Sequence, residues 1–191
     1  RGFPRGLAVT CPLPKTGATE KLETRPITAG GCHYEAFVGH ELLEKSGQLI
    51  ASAGLRGPRC ALIADKTTAA LFADKVLASL RAAGFAPRLI TFPPGENAKS
   101  LPQLGAVCDE MTAVGLYREC FVVALGGGVV GDLAGVAAAI YHRGIPFAQL
   151  PTTLLAQVDS AGGCNTGVNP AQRQDTVGAV RAPGRRPDET P

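Results

Sequence analysis

The sequence predicts an α/β protein, a doubly wound, mostly parallel, Rossmann-like sheet preceded by an N-terminal β-hairpin. Three observations carry this expectation. Short apolar runs at Cys60–Ala64, Arg88–Phe92, Phe121–Leu125 and Pro146–Leu150 are separated by longer stretches with helical spacing, the alternation that builds a parallel sheet. Between the third run and the next helical stretch stand three consecutive glycines, Gly126, Gly127 and Gly128. The composition is 45% hydrophobic and 18% charged, with 24 glycines and no tryptophan, enough apolar surface for a core and enough small residues for close helix–sheet packing.

Taken in order, residues 1–22 are rich in Pro, Gly and Thr without periodicity and are expected to be a flexible lead-in. Thr24–Ala29 and His33–Val38 flank Gly30-Gly31 and predict a hairpin. His40–Ala53 carries Leu42, Leu43, Leu49 and Ile50 at helical spacing, with Gly54 as a stop. His40 and Glu44 share a face there, a spacing that can hold metal, but no third ligand is near and a solvated face is preferred. Thr67–Ala83 predicts a helix with Leu71, Val76, Leu77 and Leu80 inward, Ser100–Val114 another, and Val129–His142 a third. In the third, Gly131, Ala134, Gly135 and Ala138 form a small-residue stripe that lets the helix lie close to a sheet or a cofactor. The expected division is a lead-in at 1–22, an α/β domain at 23–169, and a degenerate or disordered tail at 170–191.

Ligands in doubly wound sheets sit at the carboxyl ends of the strands. Asp65, Pro93–Lys99, Gly126–Asp132 and Pro151–Thr153 all fall at such ends. Gly126, Gly128 and Gly131 satisfy G-x-G-x-x-G, which brings backbone close to a ligand and aims free N–H groups at phosphate. The acidic residue expected about 20 positions later for a ribose is absent. The pattern alone therefore implies either an unusual nucleotide site or close packing only.

Other classes are disfavoured. A net charge of +3 is too small to argue for nucleic acid. No apolar run reaches the roughly 18 residues of a membrane span, and no signal-peptide core follows Arg1 and Arg5. The first residue is Arg rather than Met, so the sequence is expected to begin inside a longer reading frame or after processing. The six cysteines, Cys11, Cys32, Cys60, Cys108, Cys120 and Cys164, show no zinc or redox spacing and are expected to be reduced thiols of a cytoplasmic protein.

Four segments in sequence, Pro93–Ser100 (PPGENAKS), ALGGGVVGDLAG, YHRGIPF and PTTLLAQVDS, resemble the 3-dehydroquinate synthase family. The resemblance spans about Glu23 to Asn169 and weakens after Ser160. It implies an enzyme with an N-terminal NAD-binding domain and an all-helical C-terminal domain carrying a divalent metal, zinc or cobalt. Such an enzyme converts a phosphorylated sugar acid, 3-deoxy-arabino-heptulosonate 7-phosphate, to 3-dehydroquinate and phosphate, a carbon–oxygen lyase step of the shikimate pathway. A homodimer is implied for the full-length form.

Carried over residue by residue, the resemblance implies cofactor contacts at Asp65, Gly95, Glu96, Lys99, Gly127, Gly128, Val129, Asp132, Thr152 and Thr153. Glu96 is implied to hold a ribose hydroxyl with Lys99 in the same pocket, and Asp132 to sit near the nicotinamide. Arg143 and Asp159 are the implied catalytic, substrate-side residues. Plainer roles stay open: Asp65 as a helix N-cap, Glu96 and Lys99 as a capping pair, Thr152 and Thr153 as N-caps, Arg143 as a surface ion pair. Asn165 stands where the family pattern has a lysine, and Gln174 and Asp175 replace a lysine and an asparagine. None of His33, His40 or His142 matches the family's metal ligands, so no metal site is expected here. The 191-residue chain alone is expected to lack synthase activity. Alternatives are a related sugar-phosphate cyclase or a non-catalytic NAD-binding remnant.

Overall fold

A computed structural model describes residues 6–10, 22–29, 32–160, 165–169 and 177–180. A seven-stranded sheet forms its centre, in the order β2-β3-β1-β7-β6-β4-β5. Its strands are β1 (Gly6–Thr10), β2 (Glu23–Ala29), β3 (Cys32–Val38), β4 (Arg59–Asp65), β5 (Ala86–Phe92), β6 (Phe121–Gly126) and β7 (Phe147–Pro151). All neighbours pair in parallel except β2 and β3, which form an antiparallel hairpin with Ala29 opposite Cys32 across the two expected glycines. The predicted α/β class and hairpin are both present.

Four helices cover the sheet: α1 (Leu42–Ser52), α2 (Lys66–Ala82), α3 (Leu101–Ala113) and α4 (Gly128–Ile140). The alternation of side chains along each central strand divides the core in two. Leu62, Phe121, Val123 and Leu125 pack with Ile50, Val76 and Leu80 of α1 and α2. Ala61, Ile63, Val122 and Ala124 pack with Val107, Met111, Leu133 and Ala137 of α3 and α4. Strands buried on both faces read as continuous apolar runs, which is why β4 and β6 are recognisable in the sequence.

Two expectations are corrected. Gly6–Thr10, inside the expected flexible lead-in, forms β1 between β3 and β7. Its Leu-Ala-Val-Thr run is short, and its pairing is supplied by strands far along the chain rather than by local sequence. Leu71 is not inward but 64% exposed. It lies five residues before Val76, about 140° around the helix at 100° per residue. The inward stripe is Ala73, Val76, Leu77 and Leu80, spaced i, i+3, i+4 and i+7.

After β7 a π-helical turn spans Ala156–Ser160, and β8 (Asn165–Val168) then pairs antiparallel with β9 (Val177–Val180). The small-residue stripe of α4 serves packing. A Cβ at Gly131 would come within 2.9 Å of Gln149 Nε2 of β7, and one at Gly135 would collide with the Thr166 side chain of β8.

Candidate cofactor edge

Because β4, β5, β6 and β7 are parallel, their carboxyl ends lie on one edge of the sheet. β4 has β5 on one side and β6 on the other, so the chain reverses its direction of winding there. The resulting crevice is where ligands bind in such sheets.

The glycine turn forms the middle of this edge. Gly126 ends β6, Gly127 is the N-cap of α4 with extended backbone and no side-chain cap, and Gly128 is the first helical residue. A Cβ at Gly126 would collide with Val130, so the strand can turn into the helix this tightly only without one. The first-turn N–H groups of a helix have no partner within it. Here they belong to Gly128, Val129 and Val130, and they carry the positive end of the helix dipole. Thr152 N–H donates to the Gly126 carbonyl (3.0 Å). The Thr153 methyl would lie 3.3 Å from a Cβ at Gly127. Thr153 Oγ1 in turn accepts from Ala156 N–H (3.2 Å), so it caps the following turn, and its capping reading holds.

Asp65 is the N-cap of α2: Oδ1 accepts from Thr68 N–H (2.9 Å) and Oδ2 from Thr68 Oγ1 (2.7 Å). Beyond β5, Gly95 at φ 102° introduces a 3-10 turn, Glu96–Ala98. Positive φ favours glycine at that position. Glu96 projects into solvent while Lys99 is 6% exposed. The Lys99 ammonium lies 2.6 Å from Asp132 Oδ2, the two side chains 7% and 18% exposed. This ion pair ties the turn after β5 to the second turn of α4, across the glycine segment. Asn169, just past β8, donates from Nδ2 to Glu96 Oε1 (2.9 Å) and from its N–H to the Lys99 carbonyl (2.8 Å).

Asp65, Gly95, Glu96, Lys99, Gly127, Gly128, Val129, Asp132, Thr152 and Thr153 are therefore gathered on one edge. Arg143 is not. It is exposed, at φ 65°, in the 3-10 turn Tyr141–Arg143 that ends α4. At 1.5 Å per residue it lies roughly 20 Å along the helix from Gly127. Asp159 belongs to the Ala156–Ser160 turn next to Thr153. Asn165 opens β8, and Gln174 and Asp175 lie outside the described residues.

Two residues escaped the sequence reading. Asn169 reaches Glu96 from 73 positions away, a contact no local pattern encodes. Gln149 of β7 is 5% exposed, and its Oε1 is buried without a partner among the described residues. It lines a small cavity under the glycine turn with Gly126, Gly127, Gly131, Pro151 and Ala156. A single glutamine inside the apolar run Phe147–Pro151 was the available signal.

The edge fits a dinucleotide. It offers the first-turn amides of α4 for a pyrophosphate, carboxylates for hydroxyls, and glycines where side chains would block approach. No group of three His, Cys, Asp or Glu residues suited to a metal occurs among the described residues. His40 and Glu44 do not share a helix face, because α1 starts at Leu42 and Glu44 pairs with Lys75 (2.8 Å). Among the described residues, no helix is long and apolar enough to cross a membrane.

Residues 89–185 match the family model for the N-terminal part of 3-dehydroquinate synthase. The 3-dehydroquinate synthase of Rhodospirillum rubrum is 47% identical over 157 residues, which cover 82% of this chain and 40% of that protein. A solved 2-deoxy-scyllo-inosose synthase, complexed with carbaglucose-6-phosphate, NAD+ and Co2+, superimposes with a TM-score of 0.77 at 26% identity, covering 84% of this chain and 44% of its own. The 2-epi-5-epi-valiolone synthase of Streptomyces hygroscopicus, with NAD+ and Zn2+ bound, gives a TM-score of 0.62 at 31% identity over 66% of this chain and 35% of its own. The chain thus spans less than half the length of these relatives. By its sequence match and by this sheet topology, the chain belongs to the 3-dehydroquinate synthase family and corresponds to part of its N-terminal region.

Proposed function

We propose that this chain is the NAD-binding part of a 3-dehydroquinate synthase. The whole enzyme then releases phosphate from 3-deoxy-arabino-heptulosonate 7-phosphate and forms 3-dehydroquinate. The observation that carries this is the convergence of Glu96, Lys99, Asp132 and the Gly126–Gly128 turn on one sheet edge, with Lys99 and Asp132 paired at 2.6 Å. Support comes from the NAD+ held by the two solved cyclases.

In this reading residues 23–169 are the cofactor domain. The N–H groups of Gly128 and Val129, beside Gly127, hold the pyrophosphate. The carboxylate of Glu96 accepts from a ribose hydroxyl. Gly95 lets the turn carry Glu96 out over the cofactor. Asp65 adds a further acceptor at the end of β4, and the hydroxyls of Thr152 and Thr153 line the far side. Asp132 stands toward the nicotinamide, its charge balanced by Lys99. NAD supplies a reversible hydride acceptor. Asp159 and Arg143 are the substrate-side residues, Asp159 beside the cofactor edge and Arg143 at the far end of α4.

The described residues supply no metal-binding set, so a zinc or cobalt ion is assigned to the full-length form and no step is derived through it. Homodimerisation and a cytoplasmic location are assigned to that form as well. A second reading, a related cyclase or a non-catalytic NAD-binding remnant, is favoured by Asn165, which brings no positive charge to a phosphorylated, carboxylated substrate.

Calorimetric titration of the 191-residue chain with NAD, paired with a phosphate-release assay on the heptulosonate phosphate, tests the proposal. Saturable NAD binding without phosphate release is the expected result. Absence of NAD binding removes the cofactor role. Metal-dependent phosphate release removes the expectation that this chain is inactive alone.

A further inference from the structure

We propose that Asn169 is a positioning residue that holds the Glu96 carboxylate ready to accept from a ligand hydroxyl. It thereby sets the affinity of the cofactor edge for a dinucleotide, and in this it rests on the NAD-binding reading above. Glu96 stands on a short turn, exposed to solvent, just after Gly95 at φ 102°. A glutamate in that setting has many rotamers open to it, and fixing one has an entropic cost. Asn169 supplies the constraint. Its Nδ2 donates to Glu96 Oε1 at 2.9 Å, and its N–H donates to the Lys99 carbonyl at 2.8 Å. Ser100 and Asn169 also pair as an isolated parallel bridge. The same residue therefore grips the turn by its backbone at Lys99 and by its side chain at Glu96.

The grip is firm because the other end is buried. Val168, the preceding residue, is 0% exposed within the core that includes Leu133, Ala134 and Ala137. Thr166 is 6% exposed and packs against Gly135 of α4. A post anchored in the core thus reaches a surface carboxylate. With Oε1 held by a donor, Oε2 is directed to an incoming hydroxyl, and the ordering cost is met before the ligand arrives. Asparagine suits the task because its short side chain presents N–H donors. An aspartate of the same shape would set a second carboxylate against the first.

A purely structural staple would also use these bonds, so the test is a double-mutant cycle read by NAD binding. NAD is titrated calorimetrically into the 191-residue chain as wild type, Asn169→Ala, Glu96→Ala and the double variant, with thermal midpoints measured in parallel. Asn169→Ala is expected to weaken NAD binding about five- to thirtyfold, the conversion of the roughly 1–2 kcal/mol of rotamer entropy that then has to be lost on binding. In the Glu96→Ala background it is expected to cost less than about twofold, because nothing is left to position. Asn169→Asp keeps size and backbone contacts and is expected to weaken binding at least as much as alanine, which keeps the test open should Asn169→Ala unfold. Equal losses in both backgrounds, or near-wild-type binding by the folded variants, overturn the inference. If the wild-type chain takes up no NAD, the cofactor reading falls and this inference with it. If the wild type binds and the variants bind alike, only this inference falls.

Discussion

Gly135 sets the distance between α4 and β8, because any Cβ there would collide with the Thr166 side chain. Alanine raises helix propensity by ~1 kcal/mol, but the overpacking it causes costs roughly 1–3 kcal/mol. Gly135→Ala is therefore expected to lower the unfolding free energy. Gly105→Ala, in the exposed middle of α3 where nothing lies within 4 Å of the added methyl, is expected to raise it by ~1 kcal/mol. Urea unfolding of the two variants checks both signs, and a Gly135→Ala variant as stable as wild type would show that β8 can shift freely. Cys60 carries a second residue-scale prediction. Burial, with the Cys120 thiol adding to it, pushes its pKa from 9.0 up to about 12. The folded state therefore keeps a proton that the unfolded state loses near 9. Stability from this group is intact below pH 9 and declines between pH 9 and 12, by up to ~1.4 kcal/mol per pH unit. Urea midpoints from pH 8 to 11 should fall less steeply in Cys60→Ala than in wild type; identical slopes would refute the assignment. At this scale the sequence disclosed residue types better than partners. Lys99 and Asp132 stand out within their motifs, yet their 2.6 Å pairing joins positions from two separate motifs, and the reach of Asn169 to Glu96 spans 73 residues.

Among the elements, those formed by local pattern were legible and those formed by remote pairing were not. Strands β4 and β6 are buried on both faces and read as unbroken apolar runs, and α2 and α3 announce their starts with Asp65 and Ser100, whose side chains accept from Thr68 and Gln103 N–H groups. β1 has no such mark; its five residues form a strand by pairing in parallel with β3 on one side and β7 on the other. Leu71 faces outward because the helical angle admits only Val76, Leu77 and Leu80, with Ala73, on the inward face. The element-scale energetics centre on the link between the Glu96–Ala98 turn and α4. Removing one member of a largely buried ion pair strands the other charge, at about 3–5 kcal/mol when burial is complete and less here, where Asp132 is 18% exposed. Lys99→Met is expected to destabilise by about 2–4 kcal/mol, and Lys99→Met/Asp132→Asn to recover most of that loss. Denaturant titrations of the single and double variants measure this, and additive losses would show that the pair contributes nothing as a pair.

For the molecule as a whole, the carboxyl-edge location of the site was legible because it follows from the alternation of strands and helices alone, a rule of parallel sheets rather than of any side chain. Arg143 departs from that edge: it follows the same α4 that carries Asp132 near its start, and lies at the opposite end. The edge also has an apolar flank. Beside Thr153, Leu154, Leu155 and Val158 are 60%, 71% and 72% exposed, while Ala156 between them is 2% exposed and holds the turn to the core. Three large apolar side chains clustered on one turn form an adhesive patch. They contribute little to the fold, since most of their surface stays in contact with water. The chain is therefore expected to self-associate as its concentration rises. Leu155→Glu/Val158→Lys should suppress that association without moving the thermal midpoint by more than about 2 °C, the scale of a surface change within ±0.5 kcal/mol. Light scattering across a concentration series, with melting curves on the same samples, separates the outcomes. Unchanged association would move its cause away from this turn, and a large fall in midpoint would mean that Leu155 and Val158 pack more tightly than their exposure indicates.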